Sequence, residues 1–212
     1  MRWRSCAATA TGSASSTVAE APQRLFLAVA VPPGALEACQ RLIDAVRTTS
    51  LGRDARWVRT ENLHLTVRFL GDTEPDVVPD AALATLDAAA TVAPFRIELA
   101  GAGAFPDGRH PRTLWLGVTQ GNEGLEALDA ALAGPLTRLG WRTDPRQRRP
   151  HLTVARTDAT RGPVSHALGE ALAAAADGWS TAFDVTTMSL YRSHLGGGPP
   201  RYEPIVEGRL GA

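Results

Sequence analysis

Apolar and polar residues alternate over Leu63, Leu65, Val67 and Phe69 against His64, Thr66, Arg68 and Leu70, and this period of two predicts a strand with one buried face. The rest of the chain parses around it. Arg24 to Val31 is a short continuous apolar run, read as a buried strand that Pro32-Pro33 ends. Leu36, Cys39, Ile43 and Val46 recur at helical spacing out to about Thr48. A short strand at Arg56–Val58 and a turn at Thr60–Asn62 lead into the first alternating strand, which Gly71-Asp72 is expected to close. Asp76 to Ala90 reads as a helix, and Phe95 to Ala104 as a strand with Phe95, Ile97 and Leu99 on one face. A Pro/Gly loop over 105–111 precedes a strand at Thr113–Val118. Leu125, Leu128 and Leu132 mark a helix that Gly134-Pro135 is expected to kink or break. A strand follows at 151–156, then an Ala-rich helix to about Ala176 and a strand at Phe183–Tyr191. Leu195–Pro200 reads as a loop, and Arg201–Leu210 as a last strand in which Pro204 suggests a sheet edge. Adjacent strands outnumber strict strand–helix–strand alternation, so an α+β fold with mostly antiparallel pairing is expected.

Two of these strands share a tetrapeptide. His64-Leu65-Thr66-Val67 returns as His151-Leu152-Thr153-Val154, with the histidines 87 positions apart, and the pair uses two of only five histidines. On a strand, residues i and i+2 point the same way, about 7 Å apart. Each copy therefore sets an imidazole and a hydroxyl side by side on a rigid element. The imidazole pKa of ~6.5 suits proton transfer near neutrality, and a threonine hydroxyl can donate to an anionic oxygen. Two such strands across a groove would surround a small anion with a paired acid and base, an arrangement suited to phosphate chemistry without a metal. An ordinary half-buried strand, with threonines in cross-strand pairs, is the competing reading of each copy taken singly.

On these stretches the chain resembles the 2H phosphoesterase superfamily, and within it the bacterial and archaeal RNA 2′,3′-cyclic phosphodiesterases, also called 2′-5′ RNA ligases. The likeness rests on Arg24–Val29, Glu61–Thr66 with Phe69-Leu70-Gly71, Gly103–Pro106, Leu114–Val118, Arg149–Arg156, Leu190–Ser193 and Arg201–Glu203. It runs from about Gln23 to Leu210. It implies a bilobal 2H phosphoesterase (LigT-like) fold over 23–212, with two mostly antiparallel sheets facing across a cleft and helices outside. It further implies hydrolysis of a 2′,3′-cyclic phosphate on RNA ends or nucleotides to a 2′-phosphate. In that likeness His64 is the proton donor and His151 the proton acceptor, although the residues alone fit either assignment. Thr66 and Thr153 would bind the non-bridging oxygens, and Arg156 would help neutralise the phosphate. Strict alternation turns Arg156 away from His151, so it reaches the site only through a bulge or at the strand end. A weak reverse 2′-5′ joining of RNA ends is also implied.

Composition adds limits. The 212 residues are 44% hydrophobic and 21% charged, values of a globular chain long enough for one substantial domain or two small lobes. Net charge is zero, so any RNA contact must be local. Arg142, Arg146, Arg148 and Arg149 cluster before the second motif, and Arg148 and Arg149 are candidate substrate-binding residues beside Arg156. Solvated surface is the alternative for such a cluster. Trp57, Phe69, Trp115 and Tyr191 read first as core. Cys6 and Cys39 allow neither a disulfide framework nor zinc spacing, and His110, His166 and His194 lack a partner at metal-ligand spacing, so no metal or cofactor is expected. No stretch approaches the ~20 apolar residues of a membrane span. Residues 1–22, rich in Ala, Ser and Thr, read as a disordered extension without a signal-peptide core. A cytoplasmic monomer is expected. The alternatives are a 2H enzyme acting on another cyclic phosphate or a 2′-5′ linkage, a metal-dependent phosphoesterase, and a silent nucleotide- or RNA-binding module.

Overall fold

A computed structural model describes residues 21–142, 149–158, 162–196 and 198–212, so most of the expected N-terminal extension, together with Arg146 and Arg148, lies outside the described residues. The elements are β1 (Gln23–Ala30), α1 (Pro33–Arg47), β2 (Ala55–Trp57), β3 (His64–Thr73), α2 (Val78–Thr91), β4 (Phe95–Phe105) and β5 (Thr113–Gln120). They continue as α3 (Asn122–Arg138), β6 (His151–Thr157), α4 (Gly162–Ala175), β7 (Ser180–Val185), β8 (Thr187–Gly196) and β9 (Gly198–Arg209). Single turns of 3₁₀ helix at Leu51–Asp54, Thr60–Asn62 and Pro75–Val77 link them.

The strands form a curled, antiparallel sheet in the order β7-β4-β5-β6-β3-β1-β8-β9, with β2 beside β6. Its two four-stranded halves, β7-β4-β5-β6 and β3-β1-β8-β9, meet where Leu65 of β3 pairs with Leu152 of β6. The expected α+β architecture is therefore present, with one motif strand in each half of the sheet and the halves joined through those strands. The helices cover the far face from the motif side chains. α2 packs on β8 and β9 and α4 on β4, each within its own half, whereas α1 and α3 cross over. α1 leaves β1 and packs against α4 and β7, while α3 leaves β5 and packs on β3 and α2. One continuous apolar core, from Leu25 and Leu65 to Leu116 and Leu152, results.

Several local expectations change. Pro135 does not break α3, which runs unbroken to Arg138. Proline inside a helix costs about 3 kcal/mol, but the buried row Leu125, Leu128 and Leu132 continues through it to Leu136. Burying that leucine returns roughly 1.5–3 kcal/mol. Gly71 does not end β3. It takes φ 77° opposite Leu25, Leu70 is left without a partner, and pairing resumes to Thr73. The strand expected over Phe183–Tyr191 is two strands, β7 on β4 and β8 on β1, which lie in opposite halves of the sheet. The loop expected at 195–200 is instead mostly strand, because β8 and β9 form a long hairpin. β9 is an edge strand, as Pro204 suggests.

Arg68 is buried and faces α3, where Nε donates to Asp129 Oδ1 at 2.6 Å and Nη2 to the Asp129 carbonyl at 3.0 Å. Its Nη1 has no hydrogen-bond partner among the described residues. Asp129→Ala should therefore lower stability by about 3 kcal/mol, because it strands a buried charge, and Arg68→Met should cost far less. Urea denaturation of both variants, read as midpoint shifts at constant slope, checks this.

Candidate active site

The two motif strands share more than a tetrapeptide. From His64 to Leu70 and from His151 to Thr157, exposure follows the same order: two half-buried positions alternating with two buried ones, a second buried residue directly after, an exposed one, then a buried one. The break in alternation is a bulge. Leu27 pairs with Arg68 and Ala28 with Thr66, which leaves Val67 unmatched. Leu114 pairs with Ala155 and Trp115 with Thr153, which leaves Val154 unmatched. One extra residue flips the strand beyond it to the other face. Arg68 and Ala155 thus turn towards the core side, while Phe69 and Arg156 join the imidazoles on the open side. The sequence expectation that Phe69 is buried beside Val67 is corrected: Phe69 is 63% exposed and Leu70 is the buried residue. The obstacle to Arg156 disappears for the same reason. Its guanidinium acts electrostatically on His151 and also on Tyr202 of β9, in the other half of the sheet.

Both imidazoles are held alike. His64 Nδ1 lies 2.7 Å from the carbonyl oxygen of Asn62, and His151 Nδ1 lies 2.8 Å from that of Arg149. A carbonyl only accepts, so each Nδ1 carries the proton and donates it, and each Nε2 of the neutral ring is the nitrogen that accepts. The Thr66 hydroxyl donates to His64 Nε2 at 3.0 Å. Leu65 opposite Leu152 makes the two His-x-Thr units immediate neighbours in the sheet. The imidazoles are close enough that a charge on His151 disfavours one on His64.

Their surroundings differ. His64 lies against Phe26, with ring centroids 4.9 Å apart, and meets the edge of Tyr202 at 5.3 Å. Phe26 stacks in turn on Tyr191. His151 meets the edge of Phe105 at 4.9 Å, with Trp115 at 6.2 Å, and the Arg149 guanidinium lies over the Trp115 ring at 5.5 Å. Trp115 lies flat because β4 has glycine opposite it; a Cβ on Gly103 would come within 2.3 Å of its ring. Burial is the main cause that pushes both imidazoles below their ordinary pKa of 6.5. The charge of His151 adds to this at His64, and that of Arg156 at His151, against the opposing carbonyl bonds.

His64, Thr66, His151, Thr153, Arg149 and Arg156 are thus gathered around the junction of β3 and β6, and Arg148 lies outside the described residues. The remaining histidines are elsewhere. His194 Nε2 bonds Glu203 at 2.6 Å on the β8–β9 hairpin, His166 donates to the Gly108 carbonyl, and His110 lies beside Asp107. No group of three metal-ligating side chains occurs among the described residues. Cys39 is buried in α1, and burial pushes its thiol up to about 11, which keeps it protonated and unreactive. A concavity of about 500 Å³ between α1 and the 60–62 turn holds neither histidine. Sequence reasoning did not nominate Phe26, Phe105, Trp115 or Tyr202 as neighbours of the histidines. Only strand pairing brings them there, and single-strand patterning carries no signal of it.

The 2′-5′ RNA ligase superfamily model matches residues 32–197. The chain belongs to this superfamily. It is 31% identical over 187 residues to a protein of Methanothermobacter thermautotrophicus named RNA 2′,3′-cyclic phosphodiesterase, a match covering 88% of this chain and 98% of the relative. A relative of the same name from Geobacillus stearothermophilus is 35% identical over 150 residues, covering 71% of this chain and 46% of that longer protein. The fold matches Escherichia coli LigT complexed with 3′-AMP at a TM-score of 0.67 and 28% identity, over 89% of this chain and 98% of LigT. The expected 2H phosphoesterase resemblance and LigT-like fold therefore hold.

Both imidazoles should titrate below pH 6.5 in the free protein, and Arg156→Met should raise the His151 pKa while moving His64 far less. Histidine ring signals followed by NMR against pH check this. A folded-state pKa below the unfolded value means the unfolded chain takes up the proton first on acidification. Folding stability should then decline as pH falls through 6.5 towards the depressed values, and should be insensitive to these groups above that window.

Proposed function

We propose that the protein hydrolyses 2′,3′-cyclic phosphates, on RNA ends or nucleotides, to 2′-phosphomonoesters by paired histidine acid–base catalysis without a metal. The observation that carries this reading is the matched pair of imidazoles on joined strands, each with Nδ1 bonded to a carbonyl, so that Nε2 is the nitrogen that takes or gives a proton. The names of the relatives support the substrate class.

His151 Nε2 takes a proton from water as the water oxygen attacks phosphorus. The bond from phosphorus to the 3′ oxygen breaks on the opposite side, and His64 Nε2 delivers a proton to that oxygen. The 2′ ester bond stays, which gives the 2′-phosphate. Arg156 favours the neutral, basic form of His151, in keeping with its role as acceptor. An incoming phosphodiester anion opposes the depression at His64 and favours its charged, donating form. Thr66 and Thr153 donate to the non-bridging oxygens as negative charge builds there. Arg156 and Arg149 contribute positive charge to phosphate binding, with Arg149 steadied on Trp115. A 5′-hydroxyl in place of water would give a 2′-5′ linkage, a side reaction that water suppresses. No helix of the described residues is long and apolar enough to cross a membrane. With RNA ends as substrate, the cytoplasm is the proposed setting and the monomer the working unit.

His64→Ala and His151→Ala should each lower kcat by about 10²–10⁴-fold on a short RNA bearing a 2′,3′-cyclic phosphate. The wild type should convert it to the 2′-phosphate undiminished by chelator, with a bell-shaped dependence of kcat/KM on pH. Folded wild type that leaves the cyclic phosphate intact, or that stops turning over in chelator, would sink the proposal.

A further inference from the structure

Fixing an imidazole requires something to fix the carbonyl that holds it. We propose that Asn62 is a positioning residue for His64, tying the orientation of that ring to the β8–β9 hairpin; this rests on reading His64 as catalytic. Asn62 is among the few buried polar residues, 7% exposed. Its Nδ2 donates to the Pro200 carbonyl at 2.7 Å, across 138 positions of sequence. Its own carbonyl accepts the His64 Nδ1–H at 2.7 Å. One residue thus joins the hairpin to the ring.

Further contacts clamp the same turn. The Thr60 hydroxyl bonds Gln40 Oε1 of α1, and Gln40 Nε2 donates to Asp44 Oδ1 at 2.7 Å. The 60–62 turn is therefore held by α1 at its first residue and by the hairpin at its last. The hairpin also supplies Tyr202, whose ring stands perpendicular to that of His64. The other motif is built differently. Arg149, which holds His151, is exposed and leans on Trp115 within its own half. His151 is consequently independent of the Asn62 anchor and serves as an internal reference.

Without the Asn62 amide, the 60–62 turn loses its tie to Pro200 and the His64 ring loses a fixed acceptor for Nδ1. An acid whose Nε2 swings by an ångström forfeits on the order of 10²-fold in rate. Asn62→Asp keeps the shape of the side chain but sets an oxygen against the Pro200 carbonyl, and Asn62→Ala removes the anchor outright. Each should lower kcat by about 10–100-fold and leave KM within about twofold. Imidazole ¹⁵N spectra should show His64 losing its uniform Nδ1–H form in both variants while His151 keeps it, and urea midpoints verify folding. In the wild type the Asn62 amide protons should exchange slowly.

A folded variant that keeps both the His64 Nδ1–H form and wild-type kcat would overturn the proposal, as would unprotected Asn62 amide protons in the wild type. The spectra and the exchange do not depend on turnover. If the wild type proves inactive on cyclic phosphates, the functional reading fails while the coupling of Asn62 to His64 is still decided.

Discussion

The register between Leu65 and Leu152 is the constraint on which the site depends. This single antiparallel pair joins the two halves of the sheet, and its side chains run into the common core. Because strands alternate faces, burying these two leucines obliges His64, Thr66, His151 and Thr153 to stand together on the other side. A slip of one residue would bury the imidazoles and expose the leucines, losing the core and the grouping of these polar side chains at once. The apolar core thereby enforces an arrangement that the polar residues have no means of enforcing themselves.

From that junction outward the two halves diverge. The strands repeat one another down to the bulge at Val67 and Val154, yet the residue each bulge swings towards the site is an aromatic in one half and a cation in the other. Phe26 and Tyr202 lie against His64, with Phe69 and Tyr191 packed on Phe26, whereas Arg156 and Arg149 supply charge beside His151. Two copies of one backbone device thus carry one imidazole in an apolar setting and one in a cationic setting. A reaction needing a donor and an acceptor at the same pH uses such a difference.

Much of this was legible in the chain itself. The repeated His-x-Thr strands, the helices and the antiparallel α+β class follow from periodicity, because each reflects a residue's burial along its own element. What escaped depends on contacts between elements. Strict alternation put Phe69 in the core and turned Arg156 away, since a bulge is a property of pairing with β1 or β5 and leaves no mark on one strand's pattern. Pro135 looked like a helix end because local cost was visible and the burial of Leu136 was not. The split of 183–191 into β7 and β8 was hidden for the same reason: both pieces are apolar, and only their partners differ. Asn62, beside the motif, gave no sign of its bond to Pro200.

The crossed helices bear on how the protein can handle ligands. α1 issues from one half and rests on the other, and α3 does the reverse, so each half is strapped to its neighbour at two places behind the sheet. Opening the halves like a jaw would pull the buried Ile43 and Val46 of α1 and Leu128 and Leu132 of α3 out of the common apolar core. The spacing of the motif side chains across that joint is consequently a set dimension of the molecule. Ligands of different girth must be met by side chains at the rim of the site, the Phe69 ring and the Arg149 and Arg156 guanidiniums foremost, over a floor that does not give.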